Sequence, residues 1–191
     1  MNYDAQLIIQ KELDSGERLL WAGAPNQGVL FKSSDVFMVP FSLLWGGFAI
    51  FWEIMALQIP SEKAGAVSVV FPLFGIPFVL VGLYLIFGRF IYDSKKRSKT
   101  FYGLTDQRAI IVSGLLSKSV KSLNLKTMSE VSLSEKANGY GTIVFGQENQ
   151  MMSMFMVGSF PGMGGTPTPK FELIKNAKQV YNQIREQQKN P

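Results

Sequence analysis

Few side chains in this sequence are of a type that does chemistry. Histidine and cysteine are both absent. That removes Ser-His and Cys-His dyads, thiol nucleophiles, disulfides and every metal site built on those ligands. The carboxylates do not converge either. Glu130 and Glu135 stand five apart in a strand-like stretch, so they point to opposite faces and cannot serve one substrate as acid and base. Gly162–Gly165 is rich in glycine, but no Gly-Lys-Ser/Thr follows it, as a phosphate loop requires. Met151, Met152, Met154 and Met156 surround Phe155, a composition that fits adaptable packing or a partner surface better than copper binding. Two features remain. Glu53 is a lone carboxylate inside an apolar run, and Lys95, Lys96, Arg97 and Lys99 form a dense cationic cluster just after another apolar run. Such a cluster recognises anions. No catalytic, cofactor-binding or metal-binding residue is expected.

The elements that hold these residues are set by two apolar stretches. Val36–Leu57 has Glu53 as its only charge, and Val67–Tyr92 carries only Arg89, near its end. As helices of 22 and 26 residues they would extend roughly 33 and 39 Å. A bilayer core is about 30 Å thick and takes about 20 apolar residues per crossing. Both stretches suffice, and a chain of 191 residues has little left to cover two such helices in a soluble core. The sequence therefore predicts a membrane hairpin. The link Gln58–Ala66 is short, which makes the helices antiparallel neighbours. Trp52 and Tyr92 fall where an interfacial aromatic belt would lie, whereas Trp45 and Tyr84 do not. Glu53 is four residues, about 6 Å of rise, from the end of the first helix. Its carboxylate is expected to reach the interface.

Charge sets the orientation. Lys63 is alone in the short link, while Lys95, Lys96, Arg97 and Lys99 follow the second helix, so both termini are expected in the cytoplasm. The net charge of +5 is uneven: from Asp93 onward 14 Lys/Arg face seven Asp/Glu, a balance of +7. Beside a bilayer such a domain is drawn to anionic headgroups. Each basic residue near the surface contributes about 1 kcal/mol, which makes Lys95, Lys96, Arg97 and Lys99 the candidate anionic-lipid contact. The expected partners are the bilayer, anionic phospholipid, and a protein partner or further copies of the chain, with no nucleic acid. The runner-up function is a subunit of a small membrane transporter or enzyme using Glu53, and a third is an oligomerisation device.

The N-terminal 35 residues lack the features of a cleavable signal. Leu7, Ile8, Ile9 and Leu13 lie at helical spacing in Tyr3–Leu13, and Glu17–Gly23 reads as a strand that either adds to a sheet edge or lies on the membrane surface. After the hairpin the period changes. Thr100–Leu104, Arg108–Ser113, Ser119–Leu125, Val131–Glu135, Gly141–Phe145 and Met151–Val157 predict about six short strands, with turns at Thr105-Asp106 and Asn138-Gly139. Gly158–Pro167 reads as a flexible loop. A final helix is predicted from Thr168 as N-cap and Pro169 as first residue, with Leu173, Ile174, Ala177, Val180, Tyr181 and Ile184 on one face.

Three stretches resemble the bacterial pleckstrin-homology-like (PH-like) domains that accompany membrane helices: TFYGLTDQRAIIVSG at Thr100–Gly114, with its L-T-x-x-R pattern; PKFELIKNAKQVYNQI from Pro169; and GERLLWAGAP at Gly16–Pro25. The resemblance implies a barrel of two packed sheets capped by one helix, and it favours addition of the Glu17–Gly23 strand to a sheet edge with Trp21 packed against the domain. It does not imply phosphoinositide binding, because a shared fold does not fix function. The expected organisation is a leader over residues 1–35, a transmembrane α-helical hairpin over 36–92, and a small all-β PH-like barrel with one C-terminal α-helix over 93–191.

Overall fold

The computed structural model describes residues 3–31, 35–60, 65–115, 117–128, 130–147 and 168–189. They form two compact units, one of residues 1–28 with 94–191 and the other of residues 29–93. The leader's residues 1–28 group with the C-terminal strands.

The larger unit is built of two antiparallel sheets. One has the order β1-β2-β3-β4 (Leu19–Gly23, Phe101–Thr105, Arg108–Ser113, Ser119–Asn124), the other β5-β6-β7 (Val131–Glu135, Tyr140–Phe145, Lys170–Lys175). Alternation divides the first sheet's side chains between two apolar layers. Tyr102, Leu104, Ala109 and Ile111 face the second sheet and join Ile143, Phe145, Phe171 and Ile174 in the main core. Phe171 is the hub of that core, with ring centroids 4.8 Å from Tyr102, 4.9 Å from Phe145 and 5.8 Å from Trp21. The opposite face of the first sheet is covered as well. There Ile110 and Val112 pack with Ile9 of helix α1 (Tyr3–Gln10). Gly103 permits this, since a Cβ at that position would collide with the Ile9 side chain. Burial on both faces explains why β2 and β3 read as nearly continuous apolar runs rather than as alternating ones.

Ile110 is 1% exposed in that second layer. In the Ile110→Asp variant an unpaired charge would be buried there, costing several kcal/mol, comparable with the whole stability of a small domain. Limited proteolysis is expected to cleave this unit in the variant and spare it in the parent protein.

The C-terminal segment differs from expectation. The final helix, α5, is Ala177–Lys189, and the residues before it form strand β7. The cause is a bulge. Gly141 pairs with Ile174 and Ile143 with Phe171, so three steps on β7 match two on β6, with Leu173 at φ 49°. The extra residue puts Phe171 and Ile174 on one face three positions apart, the same spacing a helix gives. Thr168 and Pro169 precede the strand rather than cap the helix. Within α5, Ala177, Val180 and Ile184 are buried on the sheets. The Gln188 amide donates to the Leu125 and Met128 carbonyls at 3.2 and 3.3 Å, tying the helix to the link between the sheets. The predicted strand Met151–Val157 and the loop Gly158–Pro167 lie outside the described residues.

The smaller unit is a helical hairpin. Helix α2 (Asp35–Leu57) packs on α3 (Val67–Leu83), which continues through a π-helical turn (Tyr84–Gly88) into α4 (Arg89–Ser98). Both helices are long and apolar enough to cross a membrane, and 17% of each apolar window is buried, so neither is a covered core helix. Small residues let the backbones approach: a Cβ on Gly82 would come within 2.8 Å of the Gly46 Cα. Arg89 and Asp35 close one end of the hairpin with a 2.7 Å ion pair.

Candidate functional site

Helix α4 sorts the cationic cluster into two roles. Its end is closed by the Lys99 and Thr100 amides, which donate to the Lys96 and Arg97 carbonyls, and by the Thr100 hydroxyl, which donates to the Lys96 carbonyl at 2.8 Å. Lys95, Lys96 and Lys99 are exposed, and none of them is in an ion pair among the described residues. Arg97 is different. It is 5% exposed, and its Nη2 donates to the Gly28 carbonyl at 2.6 Å. The Gln27 amide adds bonds to the Pro25 carbonyl at 2.6 Å and the Arg97 carbonyl at 3.4 Å. Arg97 therefore clasps the segment after β1 to the segment before β2 and has no free face for a headgroup. The candidate contact contracts to the three lysines. Spacing could not reveal this, because the partner of Arg97 is a backbone carbonyl nearly 70 residues away.

The L-T-x-x-R pattern is a second clasp. Thr105 is fully buried, and its hydroxyl oxygen accepts from the Gln107 and Arg108 amides. That hydroxyl donates to Glu17 Oε1 at 2.7 Å. The Arg108 guanidinium meets both Glu17 oxygens at 2.8 Å and also Asp14 at 2.8 Å. The Asp106 carboxylate accepts from the Arg18 amide at 3.1 Å. Glu17 is 1% exposed at its side chain, and the Arg108 hydrogen bonds pull its pKa down to about 2. The Arg108 pKa is raised in turn by Glu17. The motif thus locks the leader onto the β2–β3 turn. It is architecture, not catalysis.

The Glu53 carboxylate lies over Gly75 of α3, beside the Trp52 ring. Oε2 is buried with no hydrogen-bond partner among the described residues. Only a glycine at position 75 leaves this space. Trp52 also stacks on Phe71 across the hairpin, at 5.6 Å between ring centroids. An apolar groove of about 280 Å³ runs alongside, lined by Trp45, Phe48, Ala49, Trp52, Phe74 and Phe78, and it offers no group for chemistry. Glu130 lies just outside β5 and Glu135 is its last residue, and both are exposed. The Met151–Met156 run and Gly162–Gly165 fall outside the described residues.

Among the described residues, seven strands in sheets of four and three, followed by one helix, form the arrangement that the resemblance implies. The chain also matches the family model of the bacterial PH domain over residues 54–188. It belongs to the bacterial PH domain family. No curated protein matches the chain, and no solved structure does. The matched region begins inside α2, so α1 and β1 lie outside it. Even so, β1 supplies the first strand of the first sheet of this PH-like fold. The hairpin is consequently an insertion between the first two strands, and Lys95, Lys96 and Lys99 stand at its return to β2. A PH-like fold suggests a binding or scaffolding module, and the partner must be argued from the site.

Proposed function

We propose that this bacterial PH domain protein crosses the inner membrane twice, keeps both termini in the cytoplasm, and holds its PH-like unit at the bilayer as a recognition module for anionic lipid and a protein partner. The observation that carries the reading is the sorting on α4. Three lysines are exposed directly after an apolar helix, while the neighbouring arginine is consumed internally. Exposed cations at a bilayer surface attract anionic headgroups by about 1 kcal/mol each, and salt within a Debye length weakens the attraction.

Topology is tested with a reporter fused after Pro191, expected to be active only in its cytoplasmic form, and one at Ser61, expected to be active only in its external form. Lipid contact is tested in nanodiscs holding the full chain. Native mass spectrometry is expected to show retained phosphatidylglycerol for the parent protein and less for Lys95→Gln/Lys96→Gln/Lys99→Gln. Equal retention by the two proteins would remove the three lysines from the contact.

The buried, unpartnered Glu53 oxygen supports a second reading, in which the hairpin moves protons or cations. Proteoliposomes holding the parent protein would then dissipate a pH or cation gradient, and Glu53→Gln would abolish that flux. Gradients equally stable with and without the protein would exclude it.

A further inference from the structure

We infer that the β3–β4 hairpin tip is a membrane wedge that seats the PH-like unit on an anionic bilayer, with Leu115 entering the acyl layer. This rests on the proposed membrane anchoring and lysine contact. The register supplies the first support. Phe101 pairs with Val112 and Ser113 with Ser119, so the β3–β4 turn lies at the end of the sheet where β2 begins. Gly23 pairs with Tyr102, so β1 ends there too. The chain therefore leaves for the hairpin and returns from it at the same end of the sheet as this turn. The Arg97–Gly28 bond holds those two crossing points together. Four residues of helix separate Arg89 from Ser94, and the five steps between them rise about 8 Å, so the linking chain is short.

The second support is the composition of the turn. Hairpin tips ordinarily use Gly, Asn, Asp, Ser and Pro, which suit water and the turn geometry. Here the sequence is Gly114-Leu115-Leu116-Ser117. Leu115 is 38% exposed, and Val120, the second residue of β4, is 43% exposed on the outer face beside Val112. The turn is closed tightly: Gly114 has φ 149°, and a Cβ there would strike the Ser117 carbonyl. The leucine is thus displayed on a constrained loop. Lys118 is engaged by Glu12, so the tip is an apolar wedge, and the exposed lysines of α4 supply the charge at the same sheet end. An apolar tip flanked by cations suits an anionic bilayer surface, where acyl chains take the leucine and headgroups take the lysines.

The absence of cysteine makes the test direct. Single variants Leu115→Cys, Gln107→Cys and Ser98→Cys are labelled and the full chain is reconstituted in vesicles of phosphatidylcholine with phosphatidylglycerol. Gln107 is exposed in the β2–β3 turn, at the opposite end of the same strands. Lipids brominated on the acyl chain are expected to quench the Leu115→Cys probe severalfold more than the Gln107→Cys probe. Spin-labelled headgroups are expected to quench the Ser98→Cys probe beside the lysines. Equal acyl-chain quenching at 115 and 107 with strong headgroup quenching at 98 would overturn the wedge and leave the lysine contact standing. Weak headgroup quenching at 98 would overturn both. Leu115→Ser, a change at an exposed position, is expected to release the Ser98→Cys probe partly from the headgroups without altering the unfolding midpoint.

Discussion

Deleting residues 1–25 is expected to unfold the PH-like unit rather than trim it. Three losses coincide. The deletion removes β1, leaving β2 as a bare edge of a three-stranded sheet. It removes Ile9, which is fully buried and whose burial is worth about 1.5–3 kcal/mol, and thereby uncovers Ile110 and Val112. It also removes Glu17, leaving the Thr105 hydroxyl and the Arg108 guanidinium without their main partner. The sum is comparable with the marginal stability of a domain of this size. Circular dichroism in detergent should show loss of the cooperative melt, and proteolysis should cut between residues 94 and 191. A melt within a few degrees of the parent midpoint would show that the leader is an ornament on a self-sufficient fold. The milder Trp21→Ala tests packing alone, since the ring lies 5.8 Å from Phe171.

Local rules revealed the strands, and pairing partners decided the rest. Arg108–Ser113 and Val131–Glu135 are strands with those bounds, because β-branched residues and flanking turns act locally. The Glu17–Gly23 strand was legible, whereas its docking on a sheet edge with Trp21 packed was favoured over the membrane surface only by the resemblance. β7 was not legible, because a bulge at Leu173 makes Phe171 and Ile174 imitate a helical face. The cationic cluster was visible as a cluster but not as two populations, since the bond from Arg97 to the Gly28 carbonyl depends on tertiary structure. For Glu53 the sequence shows its place along one helix but not what packs against it. The gap at Gly75 that receives it belongs to the other helix.

The topology has a mechanical consequence. Because the hairpin is inserted between β1 and β2, the PH-like unit is tethered by two chain segments rather than one. The Arg97 clasp and the Glu17–Arg108 clasp then fix β1 near both of its ends.

Arg108→Ala is expected to be the most damaging single substitution in the leader clasp. It leaves Glu17, 1% exposed at its side chain, without its cation. Breaking a buried pair by removing one partner costs about 3–5 kcal/mol, because the remaining charge is stranded. Glu17→Gln, which retains a hydrogen-bonding side chain, is expected to cost less. Acid reads the same clasp independently. The folded-state pKa of Glu17 is about 2 against an ordinary value of 4.5. Its stabilisation is therefore complete above about pH 4.5 and is lost as the pH falls toward 2. The parent protein should lose stability steeply across that window, and Glu17→Gln should lose less, because the titrating group is gone. Chemical denaturation in detergent at pH 7, 4 and 3 measures both slopes. Equal acid slopes for the parent and Glu17→Gln, with a near-neutral Arg108→Ala, would mean that the L-T-x-x-R pattern holds the leader by packing alone.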